Sequence, residues 1–325
     1  MKRILEENKG IPASLLWMLA IISGISVANL YYNQPLLNVM SGDLQVSEFT
    51  ANLIPMTTQI GYALGLLFII PLGDLYKRRN IIIVNFLLLA LSLFSIACSP
   101  SIHFILIASL ITGICSVMPQ IFIPIASQFS KPENKGRNVG MMVSGLLTGI
   151  LGSRVISGII GEYWGWRTMY YIAAFLMLLC IFVVLRILPD MPSNFKGTYR
   201  ALMQSLFTLF RSNATLRLVA VRAAFCFGSF LTLWACLAFK LGGEPFYAGN
   251  NVIGMLGLCG IAGALTASFV GFYVRKLGVR KLTYIGCILM LAAWCIMLLF
   301  QSSYLGFIAG IIIIDIGMQC VQISN

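Results

Sequence analysis

Pro71-Leu72-Gly73-Asp74-Leu75-Tyr76-Lys77-Arg78-Arg79 is a short charged turn between two long apolar runs, roughly residues 51–72 and 80–98. One acid and three bases crowd beside sequence that is apolar on both sides. Such a group is costly inside hydrocarbon and stable where a turn meets water at a membrane interface. The turn therefore predicts a chain of membrane-crossing helices.

Composition agrees. The 325 residues are 59% hydrophobic and 10% charged, with a mean hydropathy of +0.92. A soluble domain is about half apolar and about a quarter charged, so no soluble core hides this much apolar surface. The nine cysteines lie in or at the ends of apolar runs with no CxxC pair, and read as reduced, small apolar residues. His103 is the single histidine, which nearly excludes a multi-histidine metal site or a histidine-based triad. No H-E-x-x-H or G-x-S-x-G occurs, so the chain does not read as an enzyme, and nothing in it calls for a cofactor.

Outward from the turn, apolar runs occupy about 13–32, 51–72, 80–98, 102–127, 138–160, 166–188, 217–239, 250–272, 281–300 and 304–323. Each is near the length that crosses a bilayer, and runs this continuous are helices rather than alternating barrel strands. Ser26-Val27-Ala28 resembles a signal-peptidase site. The many spans that follow and the polar residues of this segment favour its retention as span 1. Alternate assignment of the 22 basic residues puts 18 on one side of the membrane. Arg167 and Lys240 fall on the other, and Arg154 and Arg222 lie within spans. That split places both termini in the cytoplasm. The net charge of +12 is thus a topology signal, and nucleic acid is not an expected partner.

The longest connection, 189–216, opens with Pro189, Pro192 and Gly197. It then spaces Leu202, Met203, Leu206, Phe207, Leu209 and Phe210 as on one face of a helix, flanked by Arg200 and Arg211. This predicts an amphipathic helix on the membrane surface. It divides a half of six helices (1–188) from a segment of four (217–325).

Several stretches resemble the major facilitator superfamily. Residues 70–79 are similar to its loop pattern G-x-L-x-D-[RK]-x-G-[RK]-[RK]; Leu72, Asp74, Arg78 and Arg79 fall on it, while Ile70, Leu75 and Lys77 depart. Residues 271–280 repeat the pattern with Arg275 in place of the acid, and two related halves are a transporter signature. Ala28-Asn29-Leu30-Tyr31-Tyr32-Asn33-Gln34-Pro35-Leu36-Leu37 resembles the end of span 1 in the bacterial drug/proton-antiporter-like branch. Gly145, Gly149, Gly152, Gly158 and Gly161 are similar to the antiporter motif, with Ser153-Arg154 replacing its Gly-Pro step. Gly165-Trp166-Arg167 opens span 6 as in the family. Span 4 carries Ser109 and Thr112 where the family motif has a base and a glutamine, and keeps only Gly113.

The resemblance implies an all-α bundle with a complete six-helix first half and four helices of the second. It implies a secondary transporter exporting small organic compounds against protons in a bacterial inner membrane. The chain ends at Gln322-Ile323-Ser324-Asn325, directly after the tenth span. The alternative expectation is therefore a truncated, transport-inactive remnant. In the family's logic Asp74, Lys77, Arg78 and Arg79 form a gating loop, and Asp74 bridges to the opposite half.

The residues themselves suggest further sites. Asp315 is the single acid within a span, with Gln319 and Gln322 on its helix face. It reads as a proton or cation carrier, as the counter-ion of an intramembrane base, or as a structural acid. Arg154 reads as an anion ligand, as a partner for Asp315, or as a base snorkelling to the outer interface; snorkelling fits Arg222 best. Asn29 and Asn33, which share a face of span 1 at i+4 spacing, Gln34 after them, Gln59 and Tyr62, which share a face of span 2, and Gln120 beside the ladder-breaking Pro119 and Pro124 are candidate cavity-lining groups or inter-helix glue. Substrate identity, transport direction and oligomeric state are left open by these residues.

Overall fold

The computed structural model describes residues 5, 7–189, 191, 197–261, 265, 276 and 278–324. Every regular element among them is helical, as lipid requires of a chain that must satisfy its own backbone polar groups. The order is α1 (Ala13–Ala28), α2 (Leu37–Asp43), α3 (Glu48–Phe68), α4 (Leu72–Leu75), α5 (Arg78–Cys98), α6 (Ile102–Cys115) and α7 (Pro119–Phe129). Then follow α8 (Lys135–Trp164), α9 (Trp166–Ile187), α10 (Tyr199–Ser212), α11 (Ala214–Gly242), α12 (Asn250–Met255), α13 (Val279–Leu299) and α14 (Tyr304–Ser324).

Eight described segments are long and apolar enough to cross a membrane: Glu48–Leu75, Arg78–Cys98, Ile102–Phe129, Pro132–Trp164, Trp166–Ile187, Ala214–Gly242, Val279–Leu299 and Tyr304–Ser324. Ala13–Ala28 and Asn250–Cys259 are shorter apolar helices. The ten runs of the sequence therefore reappear as eight full-length helices and two shorter ones. The first run is cut short by turns ahead of Pro35. The eighth continues into residues outside those described, as does most of the repeated turn at 271–280. Both ends of α8 lie beyond the 138–160 read from the sequence, because Lys135, Arg137 and Glu162 are accommodated within the helix.

Helix ends are marked by local chemistry. Ser47 Oγ accepts from the Thr50 backbone N–H at 3.2 Å and caps α3. Asn213 Oδ1 accepts from Leu216 N–H at 3.0 Å and caps α11. Each side chain takes up an N–H that the first helical turn leaves without a partner.

The chain forms two compact units, Met1–Gln204 and Ser205–Asn325, with the boundary inside α10. In the first, α1 packs on α8, α3 on α6 and α5 on α9, while α5 also meets α6 and α7 meets α8. Small residues set how closely these pairs approach. A methyl group on Gly149 would collide with the backbone of Gly24, and one on Gly113 with the carbonyl of Thr58. In lipid, where apolar surface gains little by leaving the solvent, such close backbone packing is what holds helices together. Phe86 and Phe122 meet edge-on at 6.4 Å within the buried core. In the second unit α13 and α14 approach through Gly286 and Gly317. There, too, the Trp294 indole N–H of α13 donates to Ser229 Oγ of α11 at 2.9 Å.

The contrast between two glycines of α8 is testable. Gly149 has no room for a methyl group, whereas one on Gly152 would meet nothing within 4 Å. Gly149→Ala should lower the thermal midpoint of the purified protein by an amount matching about 1–3 kcal/mol of overpacking. Gly152→Ala should leave it unchanged. Equal midpoints for the two variants would refute the α1–α8 packing.

Candidate functional site

Prolines place the polar side chains of the first unit. Pro35 has no N–H, and its ring cannot sit against the carbonyl four residues back, that of Tyr31. The Tyr31 carbonyl accepts instead from Gln34 N–H at 3.2 Å, and that of Asn33 from Leu36 N–H at 3.0 Å. Residues 29–36 thus leave the α-helix for tighter turns. A second break precedes Pro119: α6 stops at Cys115, the Gly113 carbonyl accepts from Ser116 N–H at 3.1 Å, and the next helix begins at Pro119 itself. The i+4 spacing of Asn29 and Asn33, read from the sequence as one shared helix face, consequently does not hold, because α1 ends at Ala28.

Arg154 occupies the centre of this arrangement. It is 2% exposed, and its Nε–H donates to Gln34 Oε1 at 2.7 Å. Its guanidinium carbon lies 5.1 Å from the centre of the Tyr31 ring. Tyr62 packs against the cluster that holds Tyr31, and the Tyr62 hydroxyl accepts from Gln120 Nε2 at 3.3 Å. Gln34, Arg154, Tyr31, Tyr62 and Gln120 therefore form one line of contacts joining the two proline breaks through α8 and α3. Arg154 is turned into this cluster rather than along its helix to an end. α8 runs on to Trp164, so the base lies within about 7 Å of the midpoint of its helix at 1.5 Å per residue.

Other expected residues lie elsewhere. Asn29 Nδ2 donates to the Ile25 and Ser26 carbonyls, both at 3.0 Å, and faces Met177 Sδ at 3.5 Å. Asn29 Oδ1, Asn33 Oδ1 and Gln59 Nε2 are buried with no hydrogen-bond partner among the described residues. The Ser109 hydroxyl is buried in the same way, while Thr112 shares a hydrogen bond with Ser92 across α5 and α6 at 2.9 Å. A cavity of about 650 Å³ in this unit is walled by α1, α8 and α9, with Ala20, Gly24, Thr148, Gly149 and Leu176 among its lining. The amides and Tyr62 are not part of that wall. In the second unit Asp315 sits at the middle of α14 and is 9% exposed. Gln319 is half-buried one turn further on, and Gln322 is exposed.

The charged turn forms the basic end of the first unit. Asp74 is half exposed, and its carboxylate lies 3.7 Å from Arg78 Nη2. Arg78 is buried; its Nε–H donates to the Gly73 carbonyl at 3.2 Å and its Nη1 to Gln128 Oε1 at 2.9 Å. Gln128 in turn donates to the Glu7 carboxylate. The Asn8 and Gly10 N–H groups donate to the carbonyls of Gln128 and Phe129 at 3.2 and 3.0 Å. Arg79 Nη2 donates to the Leu185 carbonyl at 2.6 Å and ties the turn to the end of α9. Lys77 is exposed, at the N-cap of α5. Gln128 and Glu7 are hydrogen-bond neighbours of the turn that sequence reasoning missed; a polar Ser127-Gln128 pair closing an apolar run is the one sign of them.

The opposite end is pinned by another overlooked acid. Asp43 accepts from Arg167 and from the Trp166 indole N–H at 3.1 Å. The Arg167 guanidinium also stacks 4.2 Å from the Trp166 ring.

Residues 16–325 match the family model of the Major Facilitator Superfamily. This chain belongs to the major facilitator superfamily. It is similar to the uncharacterized transporter YgaY of Escherichia coli O157:H7, at 37% identity over 320 residues, spanning 98% of this chain and 81% of that protein. It is 25% identical over 277 residues to the inner membrane transport protein YnfM of Escherichia coli K12, spanning 83% of this chain and 66% of that one. Its fold is that of a crystallised bacterial homolog of the human lysosomal transporter Spinster. The TM-score is 0.78 at 16% identity, covering 96% of this chain and 74% of that one. The protein is thus a multi-pass membrane transporter of the major facilitator type, not an enzyme.

Two measurements address the two ends. Gln128→Ala removes the acceptor of a buried guanidinium, and should lower stability by about 1–3 kcal/mol, read as a drop in thermal midpoint. Hydrogen bonds from Arg167, and then from Trp166, hold the Asp43 carboxyl below its usual range. Their stabilisation is complete above the ordinary carboxylate pKa and is lost as pH falls through the lowered value. Asp43→Asn should therefore cost at most about 1 kcal/mol at neutral pH, as a half-exposed ion pair does. The gap to wild type should close at acid pH; a gap that stays constant with pH would refute the ion pair.

Proposed function

We propose that this transporter exports small organic compounds in exchange for protons, by alternating access of two halves, residues 1–188 and 217–325, joined by the linker 189–216. The observation that carries the reading is Asp315, a carboxyl at the middle of a membrane-crossing helix and only 9% exposed. An acid at that depth is costly, and its common use in transporters is to take up and release protons. In this reading Asp315 binds a proton in one access state and surrenders it in the other. A proton so bound leaves the site neutral while the halves rock. The likeness of residues 28–37 and of the α8 glycines to the drug/proton-antiporter-like branch supports exchange rather than uptake.

Arg154 is the candidate fixed cation of this scheme, holding Gln34 and Tyr31 at the bend of span 1. Asp74, Lys77, Arg78 and Arg79 are the candidate gating loop, and the amides Asn29, Asn33, Gln59, Gln120 and Gln319 the candidate cavity-lining groups. The distribution of basic residues supports an inner-membrane protein with both termini in the cytoplasm.

Everted membrane vesicles test the proton step. With a respiratory pH gradient in place, an exported compound should collapse part of the gradient in vesicles carrying the wild-type protein. Asp315→Asn should bring that response to background. A full response from the variant would remove Asp315 as the proton site.

A further inference from the structure

α10 carries a surface that the transport reading leaves unused. At about 100° per residue, Leu202, Met203, Leu206, Phe207, Leu209 and Phe210 fall in one arc of about 160°. Four of these are well exposed: Phe207 at 66%, Leu209 at 53%, Phe210 at 46% and Leu206 at 37%. Arg200 and Arg211 lie together along one edge of that arc, next to Phe207 and about 16 Å apart along the axis at 1.5 Å per residue. The helix holds no acid. Arg217 closes its C-terminal end by donating to the Phe210 carbonyl at 3.1 Å and to that of Arg211.

The direction of the apolar face is set by Tyr199, which sits at the centre of the same arc. Its hydroxyl donates to the Phe68 carbonyl at 3.1 Å, at the end of α3 that leads into the charged turn. Tyr199 thereby sets the start of α10, on the arc's own side, against the end of a membrane-crossing helix.

We propose that α10 is a docking surface for anionic phospholipid headgroups, with its aromatic face in the acyl boundary and Arg200 and Arg211 taking lipid phosphates along one edge. Apolar insertion and arginine–phosphate pairing act together in such a helix. A zwitterionic surface supplies the first of these and an anionic surface supplies both. This inference is independent of the proton step.

The full chain in nanodiscs tests it, by amide hydrogen exchange of residues 199–212. Exchange should be slower in discs containing phosphatidylglycerol than in discs of phosphatidylcholine alone. Each arginine should contribute roughly five-fold to that difference. Arg200→Gln with Arg211→Gln should abolish it, and the paired lysine replacements should retain most of it. In the wild-type protein the difference should shrink as salt is raised, since exposed charges are screened. Equal exchange in the two lipids would overturn the proposal, and would mean that apolar contact or a protein neighbour holds the helix. A difference that survives high salt or the glutamine variants would overturn it too.

Discussion

A bilayer offers no water to a broken helix, and the rest of this structure follows from how the chain meets that constraint. Where Pro35 interrupts the ladder, the freed Tyr31 carbonyl is taken up by a donor one residue nearer in sequence, and short i+3 turns also lie beside Pro71 and Pro119. Two of these turns lie deep in the first unit. Polar side chains gather beside them, because the loosened backbone lets amides and phenols reach one another across helices. The line from Gln34 through Arg154, Tyr31 and Tyr62 to Gln120 is the result.

Burial of Arg154 is the costliest element of that line. A guanidinium near the middle of a membrane-crossing helix is costly, and here Gln34 accepts from its Nε–H while the Tyr31 ring lies against it. Gln34 and Tyr31 both come from the bend after α1, so the charge fixes the bend and the bend accommodates the charge. Through Gln34 the arginine ties α8 to the bend after α1.

At the basic end the same economy appears in another form. Arg78 is the buried member of a charged turn, and Gly73, Asp74 and Gln128 surround it. Through Gln128 the turn reaches Glu7 and the backbone of residues 8–10, so the N-terminal segment is part of the loop's own hydrogen-bond network. Any movement of the turn must carry or release that segment.

The sequence alone determined that this is a helical membrane protein with an amphipathic connection and a major facilitator resemblance. Each of those rests on local composition, length and charge, which neighbours in space do not alter. The residues of the charged turn and Arg154 were legible because charge beside hydrocarbon is conspicuous in any fold. Their partners were not. Nothing in the spacing of Gln128, Asp43 or Glu7 distinguishes them from other polar residues, and nothing pairs Gln34 with Arg154. The face shared by Asn29 and Asn33 disappeared because Pro35 ended the helix before it. Only the tertiary structure decided those matters. Which donor meets which acceptor depends on helices brought together by glycine contacts such as Gly24–Gly149, and sequence separation carries no record of that approach.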